Sequence, residues 1–82
     1  MYYTYIIQSD INGSFYTGQC NNLSERLQRH NNGHTKSTKA KSPWKLVYYE
    51  SFNTRSEAVR RELEIKKKKS RLYIEELISS FL

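Results

Sequence analysis

The chain has 82 residues, with fourteen Lys and Arg against eight Asp and Glu, a formal net charge of +6 and a pI near 9.6. That length makes one domain, residues 1–82, with an economical core, and that charge favours a polyanionic partner, nucleic acid before a membrane surface. No apolar run approaches the roughly 20 residues of a spanning helix and the N-terminus lacks a basic-then-apolar leader, so the chain reads as cytoplasmic; Cys20 is alone, which excludes an intrachain disulfide, and one Cys with two His is too little for structural zinc.

In chain order, Tyr2 to Gln8 and Phe15 to Cys20 are rich in the aromatic and β-branched residues that suit a pleated surface. Asn12-Gly13 between them is a favoured pair for a tight hairpin turn. With those two residues at the centre of the turn, paired positions sum to 25, and Tyr5, Ile7, Tyr16, Gly18 and Cys20 share one face. Asn22 with Glu25 marks a helix start, Leu23 and Leu27 lie one turn apart, and Gly33 is a natural stop. His34 to Ser42 shows no apolar period and predicts an exposed loop or one short helical turn. Trp44 to Phe52 alternates as a third strand. Thr54 and Glu57 form a capping box for a helix running to about Lys68. Ser70 caps another, whose Tyr73, Ile74, Leu77, Ile78 and Phe81 form a docking face. The predicted class is α+β, in the order β-β-α-β-α-α.

Candidate chemistry starts at Glu62. On a helical wheel with Ala58 at zero, Ile65 falls at about −20°, Glu62 at about +40°, Val59 at about 100° and Leu63 at about 140°. The carboxylate therefore lies inside the apolar arc, where a divalent cation or a neighbouring Lys or Arg would relieve its burial. Arg26 and His30 share one side of their helix; the pair suits a phosphate ester, and equally a solvated Arg beside a hydrogen-bonded core His. Most of the seven Tyr are structural. Tyr5 and Tyr16, however, share a face with Gly18, whose missing side chain leaves room for a substrate. Two basic clusters, Lys36, Lys39 and Lys41 in the loop and Arg60, Arg61, Lys66, Lys67, Lys68, Lys69 and Arg71 toward the chain end, are solvated faces or contacts to nucleic acid.

The ordered set Tyr3-Thr4-Tyr5, Phe15-Tyr16-Thr17-Gly18, Leu23 to Asn31, Pro43 to Glu50 and Ser56 to Glu62 resembles the GIY-YIG nucleases, in particular their short stand-alone bacterial branch. The resemblance spans about residues 2 to 75 and implies a three-stranded antiparallel sheet flanked by helices. It assigns Tyr5, Tyr16, Arg26, His30 and Glu62 to catalysis, Glu62 also to the metal, and Gly18 to the second motif. It further implies DNA as the partner, Mg²⁺ or Mn²⁺ as cofactor, and service in repair, recombination or processing of foreign DNA. Tyr3 and Thr4 stand where the family has Gly and Ile, and Thr17 replaces an aliphatic residue. Two other readings use the same residues: a nucleic-acid-binding module without chemistry, and an adaptor that docks a protein on the Tyr-rich face. Nothing in the sequence sets an oligomeric state, and a monomer suffices.

Overall fold

The computed structural model describes residues 1–81, so Leu82 lies outside the described residues. The elements are β1 (Tyr2–Ser9), β2 (Phe15–Cys20), α1 (Leu23–Asn31), β3 (Trp44–Phe52), α2 (Arg55–Lys68) and α3 (Arg71–Phe81), with a 3-10 turn at Lys39–Lys41. This is the predicted order and class. The sheet is antiparallel with strand order β2-β1-β3, so β1 is central and β2 is an edge. Among the described residues no helix is long and apolar enough to cross a membrane.

The two faces of the sheet build two cores. Tyr5, Ile7, Cys20 and Trp44 form one, closed by Leu23 and Leu27 of α1. Ile6, Tyr48 and Ile65 form the other, closed by Tyr73, Ile74, Leu77 and Ile78 of α3. The docking face predicted for α3 is the one that packs. Strand β1 serves both cores, which is why its interior is buried on alternate sides with no polar face. A bulge between Ile6 and Ile7 lets Ile6 pair with Tyr48 while Ile7 pairs with Leu46. The skipped residue, Val47, turns to the α3 side, and Leu46 turns to the α1 side.

Caps form where the sequence predicts them. Asn22 Oδ1 accepts the Glu25 amide, the Thr54–Glu57 capping box is complete, and Ser70 Oγ accepts the Tyr73 amide. Gly33 sits at φ +76 just past α1, and the amide of His34 returns to the Arg29 carbonyl.

The hairpin departs from the predicted register. Tyr5 pairs with Gly18 and Ile7 with Tyr16, so paired positions sum to 23. The loop is four residues wide: the Ser9 amide donates to the Ser14 carbonyl, and only Gly13, not Asn12, has positive φ. Side chains select this wider loop. Ser9 Oγ accepts the amides of Ile11 and Asn12, and Asn12 Oδ1 accepts the Ser14 amide. A shift of two residues preserves the faces, so Tyr5, Tyr16 and Gly18 remain together.

The central strand also anchors α2. The buried Thr4 hydroxyl donates to the Ala58 carbonyl at 2.7 Å, fixing the helix one turn before Glu62. Thr4 is one of the departures from the motif that the sequence resembles, and this bond gives its hydroxyl a partner.

Candidate active site

The Gly18–Tyr5 pair organises the site. A Cβ built on Gly18 would lie 2.5 Å from the Tyr5 hydroxyl oxygen and 2.7 Å from Cζ. The Tyr5 ring therefore lies directly over the glycine backbone. The space expected there for a substrate is filled by the phenol, and the role of the missing side chain is to admit Tyr5. Gly18→Ala is expected to displace the ring, lowering stability by about 1–3 kcal/mol and the Tm by on the order of 10 °C. Thermal denaturation measures this; an unchanged Tm would contradict the packing.

Tyr5 is 2% exposed, and its hydroxyl meets His30 Nε2 at 2.8 Å. His30, at the end of α1, is itself 1% exposed, and its Nδ1 meets Thr38 Oγ1 at 2.7 Å. Thr38 has one hydroxyl proton, and it donates to the Thr35 carbonyl at 3.3 Å. Thr38 must then accept from His30, which places the imidazole proton on Nδ1 and leaves Nε2 to accept from Tyr5. The chain of donors runs Tyr5 to His30 to Thr38 to Thr35.

Thr38 is the residue that sequence reasoning missed. The segment from His34 to Ser42 reads as exposed, yet Thr38 is fully buried, and its carbonyl accepts the Trp44 indole N–H at 2.8 Å. Polar composition concealed it, because a Thr that buries its hydroxyl and carbonyl through hydrogen bonds carries no apolar signature. The short helical turn expected in this segment forms at Lys39–Lys41, and Lys36, Lys39 and Lys41 are exposed as expected; the correction is confined to Thr38, which is core.

Burial, the repulsion of neighbouring Tyr16, and Cys20 push the Tyr5 phenol well above its ordinary range, and the nearby Arg26 guanidinium offsets part of that. Burial, followed by the charges of Arg26 and Arg29, lowers His30 below 6.5. His30 is thus the neutral imidazole that the donor chain requires. A histidine depressed on folding takes up protons on unfolding, so stability is full above pH 6.5 and falls as the pH drops through and below that value. Denaturation at pH 7.5 and at pH 5 is expected to show the loss, and a flat profile would contradict a buried neutral His30.

Tyr16 lies on the same face but is only half-buried. Its ring stands edge-on to His30 at 5.1 Å, and its hydroxyl has no partner among the described residues. Tyr5 and Tyr16 thus share the expected face, and His30, with Arg26 nearby, packs against them.

Glu62 comes from the other side of the sheet, around the β2 edge. As the wheel predicts, Ala58 and Ile65 are buried and the Glu62 side chain is 17% exposed; Leu63, which the wheel puts at the far end of the apolar arc, is instead 60% exposed, so the arc that packs is narrower than predicted. Its Oε2 accepts Lys66 Nζ at 2.6 Å, and Lys66 in turn lies over the Tyr16 ring at 5.8 Å. Lys66 is the link between Glu62 and the tyrosine cluster. Among the described residues no three His, Cys, Asp or Glu side chains gather as a metal cage. A single shielded carboxylate nevertheless fits a Mg²⁺-type ion, which keeps several waters and takes one or two carboxylates plus substrate phosphate oxygens.

The basic clusters divide. Lys36, Lys39, Lys41, Lys67, Lys68 and Lys69 are exposed and form no ion pair among the described residues. Arg61 is structural: it pairs with Glu50 at 2.9 Å, binds the Tyr73 hydroxyl at 3.0 Å and contacts Glu64, tying α2 to β3 and α3. Lys66 is held by Glu62, and Arg71 by Glu75 and the Gly13 carbonyl.

Known proteins resemble this chain in sequence and in fold. Residues 1–74 match the description of the GIY-YIG catalytic domain. The chain is 47% identical over 66 residues to the UPF0213 protein SSP2268 of Staphylococcus saprophyticus, covering 79% of each chain. It is 41% identical over 80 residues to a UPF0213 protein of Bacillus pumilus, covering 93% of this chain and 81% of that one. The solution structure of the UPF0213 protein BH0048 from Bacillus halodurans superposes with a TM-score of 0.58 at 36% identity, over 96% of this chain and 84% of that one. With the match running from residue 1 through Glu62 to residue 74 and relatives 47% and 41% identical, this chain belongs to the GIY-YIG nuclease family.

Proposed function

We propose that the chain is a metal-dependent DNA endonuclease, hydrolysing a phosphodiester in line. The observation that carries this reading is the buried donor chain from Tyr5 through His30 to Thr38, set beside Arg26 and the open phenol of Tyr16. A fold-stabilising tyrosine needs no neutral imidazole held as a proton acceptor on its hydroxyl. Tyr5 is too buried to stand as a free phenolate. It serves as a relay, giving its proton to His30 Nε2 as it takes one from the attacking water. The water oxygen bonds to phosphorus, and the departing sugar oxygen takes a proton from solvent. Tyr16 positions the water, and Arg26 holds the phosphoryl oxygens with its planar fork. Glu62 would hold the divalent cation, which supplies charge neutralisation at the phosphate. The exposed lysines hold the strand by its backbone, which makes binding salt-dependent and little dependent on sequence.

Labelled single-stranded, duplex and branched DNA, incubated with Mg²⁺, Mn²⁺ or EDTA, tests this reading. Strand breaks that need the metal support it. Salt-sensitive binding without breaks in either metal would leave only a binding module.

Thr38 has its own test. Thr38→Val removes the acceptor that holds the His30 proton on Nδ1 and is expected to slow cleavage by about 10-fold or more, with Thr38→Ser restoring most of it. The nitrogen NMR shifts of His30 report the tautomer directly, and an unchanged tautomer in Thr38→Val would remove the role.

A further inference from the structure

Between the β2 edge and the corner where α2 turns into α3 lies a cavity of about 420 Å³. Tyr16 and Lys66 belong to its wall, so it opens beside the site already described. Phe15, Tyr16 and Ile65 supply apolar and aromatic surface, and Lys66, Lys69 and Arg71 supply charge. The cations sit over rings: Arg71 is 4.6 Å from the Phe15 centroid and Lys66 is 5.8 Å from that of Tyr16. Glu75 and Glu62 neutralise those two, but Lys69 has no carboxylate partner among the described residues. Its backbone is the second observation. Lys69 ends α2 at φ 49 and ψ 39, and it is the only non-glycine among the described residues at positive φ. Gly or Asn would close the helix there with less strain, so the ammonium is kept at a conformational cost, in the wall of a cavity.

We infer that this cavity is a subsite for one nucleotide, the neighbour of the scissile phosphate, with its phosphate on Lys69 and its base in the aromatic wall that Phe15 and Tyr16 contribute from the two faces of the β2 edge. The volume suits a ligand of that size, and the pairing of ring faces with cations is the surface that a nucleotide presents in complement. The inference rests on the nuclease reading for its place in the reaction, but its binding chemistry stands apart from cleavage.

The experiment is an NMR titration of the labelled full chain in EDTA with thymidine 5′-monophosphate, thymidine and inorganic phosphate. The monophosphate is expected to shift the amides of Phe15, Lys69 and Arg71 and to bind about fivefold or more tighter than either fragment. Lys69→Gly keeps the left-handed backbone and removes the charge, so affinity is expected to fall about fivefold with no fall in Tm. Equal binding of phosphate and monophosphate, or full affinity in Lys69→Gly, would overturn the subsite. Cleavage with no monophosphate binding would overturn it and leave the nuclease reading intact. Monophosphate binding by a protein that cuts nothing would support the subsite and overturn the nuclease reading.

Discussion

Glu62→Ala is expected to lower strand cleavage by roughly 10³-fold or more while DNA binding and the fold persist. The fold is spared because little rests on this carboxylate. Its one ion pair is an i,i+4 contact to a Lys66 side chain that is 47% exposed, and such a pair contributes about 0.3–0.5 kcal/mol. The core positions on either side of it, Ala58 and Ile65, keep their packing, and the Thr4 hydroxyl continues to hold the helix at the Ala58 carbonyl. The chemistry is not expected to be spared, since among the described residues no group of three or more His, Cys, Asp or Glu side chains gathers to hold a metal in its stead. Freed of its partner, Lys66 is available to phosphate, so affinity for DNA is expected to hold or rise. Circular dichroism and a binding isotherm measured with the rate separate these effects.

Arg26→Ala carries the second large effect, a rate loss of roughly 10²–10³-fold, the usual consequence of removing one donor aimed at developing oxyanion charge. It has a second signature. The Arg26 charge opposes protonation of His30, so removing it raises the imidazole pKa and moves the acid limb of the rate profile to higher pH. The same charge lowers Tyr5, so its loss makes the phenol a still poorer acid. Arg26→Lys keeps the charge without the fork, and is expected to restore the position of the acid limb but only part of the rate. A rate loss with no movement of the limb would place Arg26 on substrate alone, away from the Tyr5–His30 pair.

Why some of these residues are legible in the sequence and others are not has a physical basis. Glu62 is legible because helical periodicity fixes direction: the wheel places it near Ala58 and Ile65, and it is shielded with them, while Leu63 at the far end of the predicted arc is exposed because nothing among the described residues packs there. The caps at Asn22, Thr54 and Ser70 are legible because each is local, one side chain meeting an amide three residues on. The shared face of Tyr5, Tyr16 and Gly18 survives a wrong turn, since a slip of two residues preserves parity. The four-residue loop was hidden because Ser9 draws its order from the Lys41 carbonyl, a contact across 32 residues that no local rule carries. The bulge at Ile6 and Ile7 was hidden for the same reason, being set by which core each of Val47 and Leu46 must fill. Thr38 and Thr4 show the wider limit: a buried hydroxyl is defined by its partner, and the partner is known only once the chain has folded.

The most direct test of the account is the single-turnover rate of DNA cleavage in Mg²⁺ for wild type and Glu62→Ala, measured at matched DNA occupancy, with wild type in EDTA beside them. Breaks are expected for wild type in Mg²⁺ alone, with Glu62→Ala and the EDTA sample bound but uncut. Metal-independent cleavage by purified Glu62→Ala, or intact DNA under wild type in both Mg²⁺ and Mn²⁺, would contradict it.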